Sequence, residues 1–176
     1  YDHVKQGKRQ PGSTFKPIVY TAAIDNGYSP CYEVVDAAVS YAVPGQIPPV
    51  WRPNNSSGKY SGEVMTIRQA MARSVNSITA FIMSKVGPSN VVDYARKLGF
   101  TSPLNAVPSL CLGTDDVSLY ELVGAYATFL NKGNFTKPEY ITKIADKNGN
   151  ILQYFIPETR EALNEQTANL MLHMLK

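Results

Sequence analysis

The chain is poor in the residues that build metal centres and cross-links: 176 residues hold two histidines, two cysteines and one tryptophan. His3 and His173 lie near opposite ends, and neither stands at ligand spacing with a cysteine, so no metal site and no cofactor are expected; each histidine reads as a surface or packing residue. Cys31 and Cys111 would allow one bridge outside the cytoplasm, but free cysteine is also a common small core residue, and the reading expects two free thiols. Charge is equally sparse, at 18% of residues with a net value of +3. The lysines and arginines are scattered, with no stripe to track a phosphate backbone, so nucleic acid is not an expected partner. No apolar run of about 18 residues or more exists, which excludes a membrane span within these residues, and no stretch reads as a secretory leader. What is abundant is apolar material, 44% of the chain, and a chain of this length can bury about 70% of its unfolded surface.

The most specific local signal is Arg9-Gln10-Pro11-Gly12-Ser13-Thr14-Phe15-Lys16-Pro17. A serine follows a Pro-Gly turn and a lysine stands three residues on. If a helix starts at Ser13, positions i and i+3 share a face and the amine reaches the hydroxyl. Serine is a weak nucleophile that needs a neighbour to take its proton, and lysine does so once burial or a nearby cation lowers its pKa. The unpaired N–H groups of a helix N-terminus can stabilise the oxyanion formed when a carbonyl is attacked. The plainer reading is a serine N-cap with a solvated lysine.

A second constellation, Ser74-Val75-Asn76, lies between two helical patterns. Thr66 to Gln69 reads as a capping box opening one helix, and Ile78, Phe81, Ile82 and Val86 mark the next. At that junction a second hydroxyl can relay a proton to a leaving amine, and an asparagine amide can bond a substrate carbonyl. A plain helix-helix turn would use the same residues.

Together, Ser13-Thr14-Phe15-Lys16 and Ser74-Val75-Asn76 resemble the Ser-x-x-Lys and Ser-x-Asn motifs of penicillin-binding proteins. The likeness extends through Trp51-Arg52-Pro53-Asn54, Thr66 to Asn76, and Leu112-Gly113-Thr114 on to Gly124-Ala125-Tyr126-Ala127-Thr128-Phe129 with Asn131-Lys132-Gly133. All of it resembles the transpeptidase module of the class A, bifunctional members. The resemblance implies that Ser13 is acylated, Lys16 is its base, Ser74 passes the proton to the departing D-alanine, and Asn76 holds the stem peptide or a β-lactam amide. It also makes Trp51 and Asn54 candidates for the cleft rim. The implied partners are peptidoglycan stem peptides and β-lactams, on the extracytoplasmic face of a bacterial inner membrane, in a parent with a membrane anchor and a glycosyltransferase module.

The family's third motif, Lys-Thr-Gly, occurs nowhere in these residues. Lys59-Tyr60-Ser61-Gly62 has an extra residue and precedes Ser74, whereas the motif follows the Ser-x-Asn. The expectation is therefore a partial transpeptidase domain over 1–176, stopping before its C-terminal sheet strands and inactive alone, since one lost oxyanion donor costs ~3 kcal/mol of transition-state stabilisation. The alternative is a penicillin-recognising sensor or a non-catalytic peptidoglycan-binding homologue. A β-lactamase is rejected, because the Glu161-Ala162-Leu163-Asn164 segment does not match the deacylating loop.

The expected fold is mainly α with a small β-hairpin, the helical subdomain of the α/β fold shared by β-lactamases and transpeptidases. A first helix is predicted from Ser13 or Thr14 to about Asp25, with Phe15, Val19, Ala22 and Ala23 inward. A proline-rich loop spans 28–59. A short helix covers Ser89 to Leu98, and a Ser118–Glu121 capping box opens another whose Leu119, Leu122, Val123, Tyr126, Phe129 and Leu130 read as core. A hairpin over about 140–155 turns at Asn148-Gly149, and a last helix follows Asn164. Helix faces left without a sheet are expected to drive self-association through an apolar patch.

Overall fold

The computed structural model describes every residue except Pro44 and Gln46. Pro44, one of the prolines behind the predicted loop, therefore lies outside the described residues. In chain order the elements are β1 (Lys8–Arg9), α1 (Lys16–Asp25), β2 (Glu33–Val35), β3 (Tyr41–Ala42), β4 (Val50–Trp51), β5 (Val64–Thr66), α2 (Ile67–Ala72), α3 (Asn76–Val86) and α4 (Pro88–Lys97). There follow β6 (Val117–Ser118), α5 (Leu119–Leu130), β7 (Asn134–Thr136), β8 (Lys143–Ala145), β9 (Ile151–Tyr154), β10 (Thr159–Glu161) and α6 (Glu165–Met174). The strands form five antiparallel two-stranded ladders: β1 with β6, β2 with β5, β3 with β4, β7 with β10, and β8 with β9. Only the last is the expected hairpin; β3 and β4 pair locally inside the predicted loop, and the other three ladders pair residues too far apart in sequence to be read from local pattern. Three of the short strands fall within the predicted loop.

Helix α1 is the hub, packed by α3, α4 and α6. Its predicted inward face was too narrow: every residue from Phe15 to Ile24 is buried. Such a helix is apolar all round because it has no solvent side. It starts at Lys16 rather than Ser13, because Gly12–Phe15 forms a 3-10 turn that feeds it. Pro17 is then the second helical residue, where its missing N–H leaves no bond unmade.

Both predicted capping boxes are present, at Thr66–Gln69 and Ser118–Glu121. The second does more than cap. Glu121 is buried, and its Oε1 accepts from the N–H and hydroxyl of Thr101 and the N–H of Ser102, while Oε2 accepts from the Ser102 hydroxyl and the N–H and hydroxyl of Ser118. Burial pushes its pKa up, but these donors, led by the Ser118 N–H, outweigh it and bring the carboxyl down to about 2. The 101–102 segment is thereby fixed to the start of α5.

The stripe predicted as core on α5 is corrected in part: Phe129 is buried as expected and Leu122 packs half-buried against the core. Leu119, Val123 and Leu130 are exposed, and the buried face is Glu121, Gly124, Ala125, Thr128 and Phe129. Small residues face inward because α5 lies close to its neighbours: a Cβ on Gly124 would stand 3.1 Å from the Phe135 ring. The larger residues Leu122, Val123, Tyr126 and Leu130 line an open apolar groove with Thr14 and Ala127. Asn164 caps α6 as expected, accepting from the Thr167 N–H. Neither cysteine is bonded to the other; Cys31 is exposed and Cys111 buried. No helix among the described residues is long and apolar enough to cross a membrane.

Candidate active site

The Ser13 turn is held by main-chain contact. Gly12 has φ +58°, and its N–H donates to the carbonyl of Gly113, itself at φ +68°. A Cβ at position 113 would lie 2.3 Å from the Gly12 carbonyl oxygen and 2.6 Å from its nitrogen, so only glycine fits. From the other side, the Tyr126 hydroxyl of α5 donates to the Thr14 carbonyl at 2.9 Å. In a 3-10 turn i and i+3 eclipse, which sets Lys16 directly along from the exposed Ser13.

Lys16 is 1% exposed, and its ammonium is directed at the second constellation. Nζ donates to the Ser74 carbonyl at 2.7 Å, the Ser74 hydroxyl at 2.9 Å and the Asn76 Oδ1 at 2.5 Å. Three donors meet three acceptors, and Ser13 Oγ is not one of them. Burial lowers the Lys16 pKa to about 8, with the electrostatic influence of Cys111 acting in the opposite direction. Cys111 does not compete as a nucleophile, since burial pushes its thiol up to about 12.

Ser74 sits between α2 and α3 with φ +54°, a left-handed conformation that a non-glycine residue adopts at a cost of about 1–3 kcal/mol. The turn is closed by the Ser74 N–H on the Met71 carbonyl and the Val75 N–H on the Ala70 carbonyl. Asn76 opens α3, and its two side-chain ends both have partners: Oδ1 takes Lys16 and Nδ2 donates to the Asn54 carbonyl at 2.7 Å. Ser13, Lys16 and Ser74 share one cleft of about 450 Å³ with Thr14, Pro17, Met71, Tyr126 and the 174–176 segment.

Trp51 and Asn54 are not among the residues lining that cleft. Trp51 pairs with Tyr41 across β3 and β4, ring centroids 6.0 Å apart, and packs on the core edge. Asn54 is exposed and accepts from the Tyr60 hydroxyl at 3.2 Å. The Lys59–Gly62 segment serves the fold: the Ser61 N–H and hydroxyl both donate to Asp36 Oδ2. Sequence reasoning missed Asp36, Asn55, Gly113 and Tyr126. The tyrosine carried a faint signal, because a hydroxyl on an otherwise apolar stripe needs a polar partner.

The sequence and the fold match those of known proteins. The family model described as penicillin binding protein transpeptidase domain matches residues 2–176. Penicillin-binding protein 1A of Neisseria meningitidis is 34% identical over 182 aligned positions, which take in 100% of this chain and 23% of that protein. The crystal structure of penicillin-binding protein 1A from Haemophilus influenzae superposes with a TM-score of 0.90 at 25% identity, over 99% of this chain and 30% of that one. Penicillin-binding protein A of Mycobacterium tuberculosis, solved as an imipenem acyl-enzyme complex, matches in fold with a TM-score of 0.84 at 19% identity, covering 99% and 44% of the two chains. The chain thus spans under a quarter of the length of its Neisseria relative. With a family model running almost from end to end and that identity across every residue, this chain belongs to the penicillin-binding protein transpeptidase domain family.

Proposed function

We propose that this chain carries the nucleophile-bearing part of a peptidoglycan D,D-transpeptidase, with Ser13 as the acylated residue. The observation that carries the reading is a buried lysine of lowered pKa, hydrogen-bonded to Ser74, in one cleft with the exposed Ser13.

As an ammonium, Lys16 uses all three N–H bonds on Ser74 and Asn76. As a neutral amine it keeps two N–H bonds and gains a lone pair, so one acceptor is released and the lone pair is free for the Ser13 proton one turn away. Ser13 Oγ attacks the carbonyl of the penultimate D-alanine of a stem peptide while Lys16 takes its proton. The resulting oxyanion is received by the Ser13 N–H, since the Gly12 and Thr14 N–H groups are already given to the Gly113 and Pro11 carbonyls. Lys16, now charged, is hydrogen-bonded to the Ser74 hydroxyl, which passes a proton to the departing D-alanine nitrogen and is reprotonated by Lys16. The peptide bond breaks and a serine ester remains. An amine of a neighbouring strand then attacks the ester, its proton returns by the same relay, and Ser13 is released. A β-lactam enters the first half alone, its ring amide opening onto Ser13.

Asn76 bonds the substrate amide through the second hydrogen of Nδ2. Asn54 supports that amide from behind through its carbonyl, and Trp51 stiffens the rim rather than touching substrate. The whole parent is an anchored extracytoplasmic enzyme. The 176 residues turn over slowly or not at all by themselves, because they hold no Lys-Thr-Gly, and they self-associate through the outward apolar groove of α5.

Intact-mass detection of a covalent β-lactam adduct tests the reading, on this chain and on a version extended through a Lys-Thr-Gly segment, each with its Ser13→Ala variant. Adduct on the extended protein that disappears with Ser13→Ala is expected. Its absence there would favour a non-catalytic peptidoglycan-binding role.

A further inference from the structure

Helix α3 has no cap of its own. Its N-cap residue is Val75, which carries no side-chain oxygen, yet this helix begins with Asn76 and follows the strained Ser74. Helices without a cap oxygen forgo about 1 kcal/mol and fray at the first turn. Fraying here would release both the backbone strain at Ser74 and two of the acceptors of Lys16. The cap comes instead from outside. Asn55 Oδ1 accepts from the N–H of Asn76 at 2.9 Å and from the N–H of Ser77 at 3.1 Å.

Asn55 is itself oriented. Its Nδ2 donates to Asp36 Oδ1 at 2.8 Å and to the Lys59 carbonyl at 3.2 Å. Asp36 is 3% exposed, and the same Oδ1 accepts from the Ser77 hydroxyl at 2.5 Å, while Oδ2 is held by Ser61. One buried carboxylate therefore fixes the amide plane that caps α3 and also bonds the second residue of the helix. We infer that Asn55 and Asp36 are positioning residues for acylation: they hold the Ser74-Val75-Asn76 turn in its left-handed form and so keep the Ser74 carbonyl, the Ser74 hydroxyl and Asn76 Oδ1 converged on Lys16. The inference rests on the proposed roles of Lys16 and Ser74, although the clamp itself is a matter of hydrogen bonds alone.

Two measurements separate the clamp from the function. In this chain, amide hydrogen exchange at Asn76 and Ser77 reads the cap, with the Thr101 and Ser102 amides held by Glu121 as internal controls. Asn55→Ala is expected to speed exchange at the first pair by about tenfold or more relative to the controls, the worth of one lost hydrogen bond, and to shift the Lys16 side-chain resonances. Unchanged relative exchange and an unmoved Lys16 would overturn the inference.

In the extended protein, Asn55→Asp keeps an acceptor for the two N–H groups but sets a carboxylate against Asp36, and two carboxylates at that distance share one proton. The other ionisable groups near the clamp are Lys16 beyond the turn, Lys59, and the exposed Arg73–Glu63 pair. Acylation by Asn55→Asp is expected to be about tenfold or more below wild type near pH 8, with the variant-to-wild-type ratio rising as pH falls. The exchanged pair Asp36→Asn with Asn55→Asp restores the donor and acceptor between 36 and 55, leaving only the 3.2 Å bond to the Lys59 carbonyl unmade, and is expected to bring the rate back to within about threefold with a flat ratio. A pH-independent ratio with no recovery in the exchanged pair would refute the positioning role, and this pair carries the test if Asn55→Ala does not fold. If the wild-type extended protein forms no adduct, the proposed function falls, and the clamp is judged on amide exchange alone.

Discussion

Replacing Lys16 with methionine removes a titrating amine from a buried position, and the resulting change in the pH dependence of stability is calculable. In the folded chain burial holds the pKa down at about 8, against an ordinary lysine value of 10.5. At 1.36 kcal/mol per pH unit, holding the ammonium in the fold costs about 3 kcal/mol near pH 7. Between the two values the folded state binds fewer protons than the unfolded state, so stability rises with pH across that window and the penalty is nearly gone at about pH 10.5. Working the two titrations through gives a penalty of about 3 kcal/mol at pH 7 and about 2 kcal/mol at pH 9. The unfolding free energy of wild type minus that of Lys16→Met should therefore rise by about 1 kcal/mol from pH 7 to pH 9. The absolute difference at one pH is less informative, because methionine also leaves the Ser74 carbonyl, the Ser74 hydroxyl and Asn76 Oδ1 without their donor. Titrations common to both proteins cancel in the comparison. Urea unfolding of the two chains at both pH values is the assay. A difference that stays flat or falls with pH would mean that Lys16 is an ordinary ammonium at neutral pH, and the general-base assignment would lose its physical basis.

Other expectations follow from the same geometry. Ser74→Ala in the extended protein should slow β-lactam acylation by roughly 10² to 10⁴, read by stopped-flow or timed mass spectrometry, and an unchanged rate would remove the relay. Gly113→Ala forces a Cβ into the Gly12 backbone at φ +68°, so it should destabilise the chain by about 2 kcal/mol or more and abolish adduct formation at Ser13. Glu121→Gln should lose several of six hydrogen bonds; because the wild-type carboxyl titrates at about 2 instead of 4.5, its advantage holds above pH 4.5 and should shrink by about 2 kcal/mol by pH 3, whereas a pH-independent difference would contradict the assignment.

How much of this was legible in the sequence depended on the range of the interaction. Capping boxes at Thr66 and Ser118, the Asn164 cap and the Asn148-Gly149 turn rest on neighbours within about four residues, and each was readable. The Ser13, Lys16 and Ser74 constellation was readable as two motifs, but their meeting was not, since 58 positions separate Lys16 from Ser74. The ladders pairing β1 with β6 and β7 with β10 failed for the same reason. On α5 the spacing of large apolar residues was right for a helix and wrong for its orientation, because periodicity finds a face without saying what it meets. Close packing against Phe135 selected the small-residue face for the interior instead. Asn55 stood next to a residue already singled out, yet nothing local distinguishes an asparagine that caps a helix 21 positions away from one that caps a turn.

The contact between Gly12 and Gly113 sets the nucleophile's placement by main chain against main chain. No side chain mediates it, so a substitution elsewhere reaches the turn chiefly through the Tyr126 hydroxyl on the Thr14 carbonyl. Variation that retunes this cleft for another acyl donor has to act on its walls, at Thr14, Met71 and Ala72, with Gly12, Gly113 and Tyr126 kept so that the serine stays in place. A mutational library aimed at altered selectivity would keep both glycines and the tyrosine constant and spend its diversity on those three wall positions.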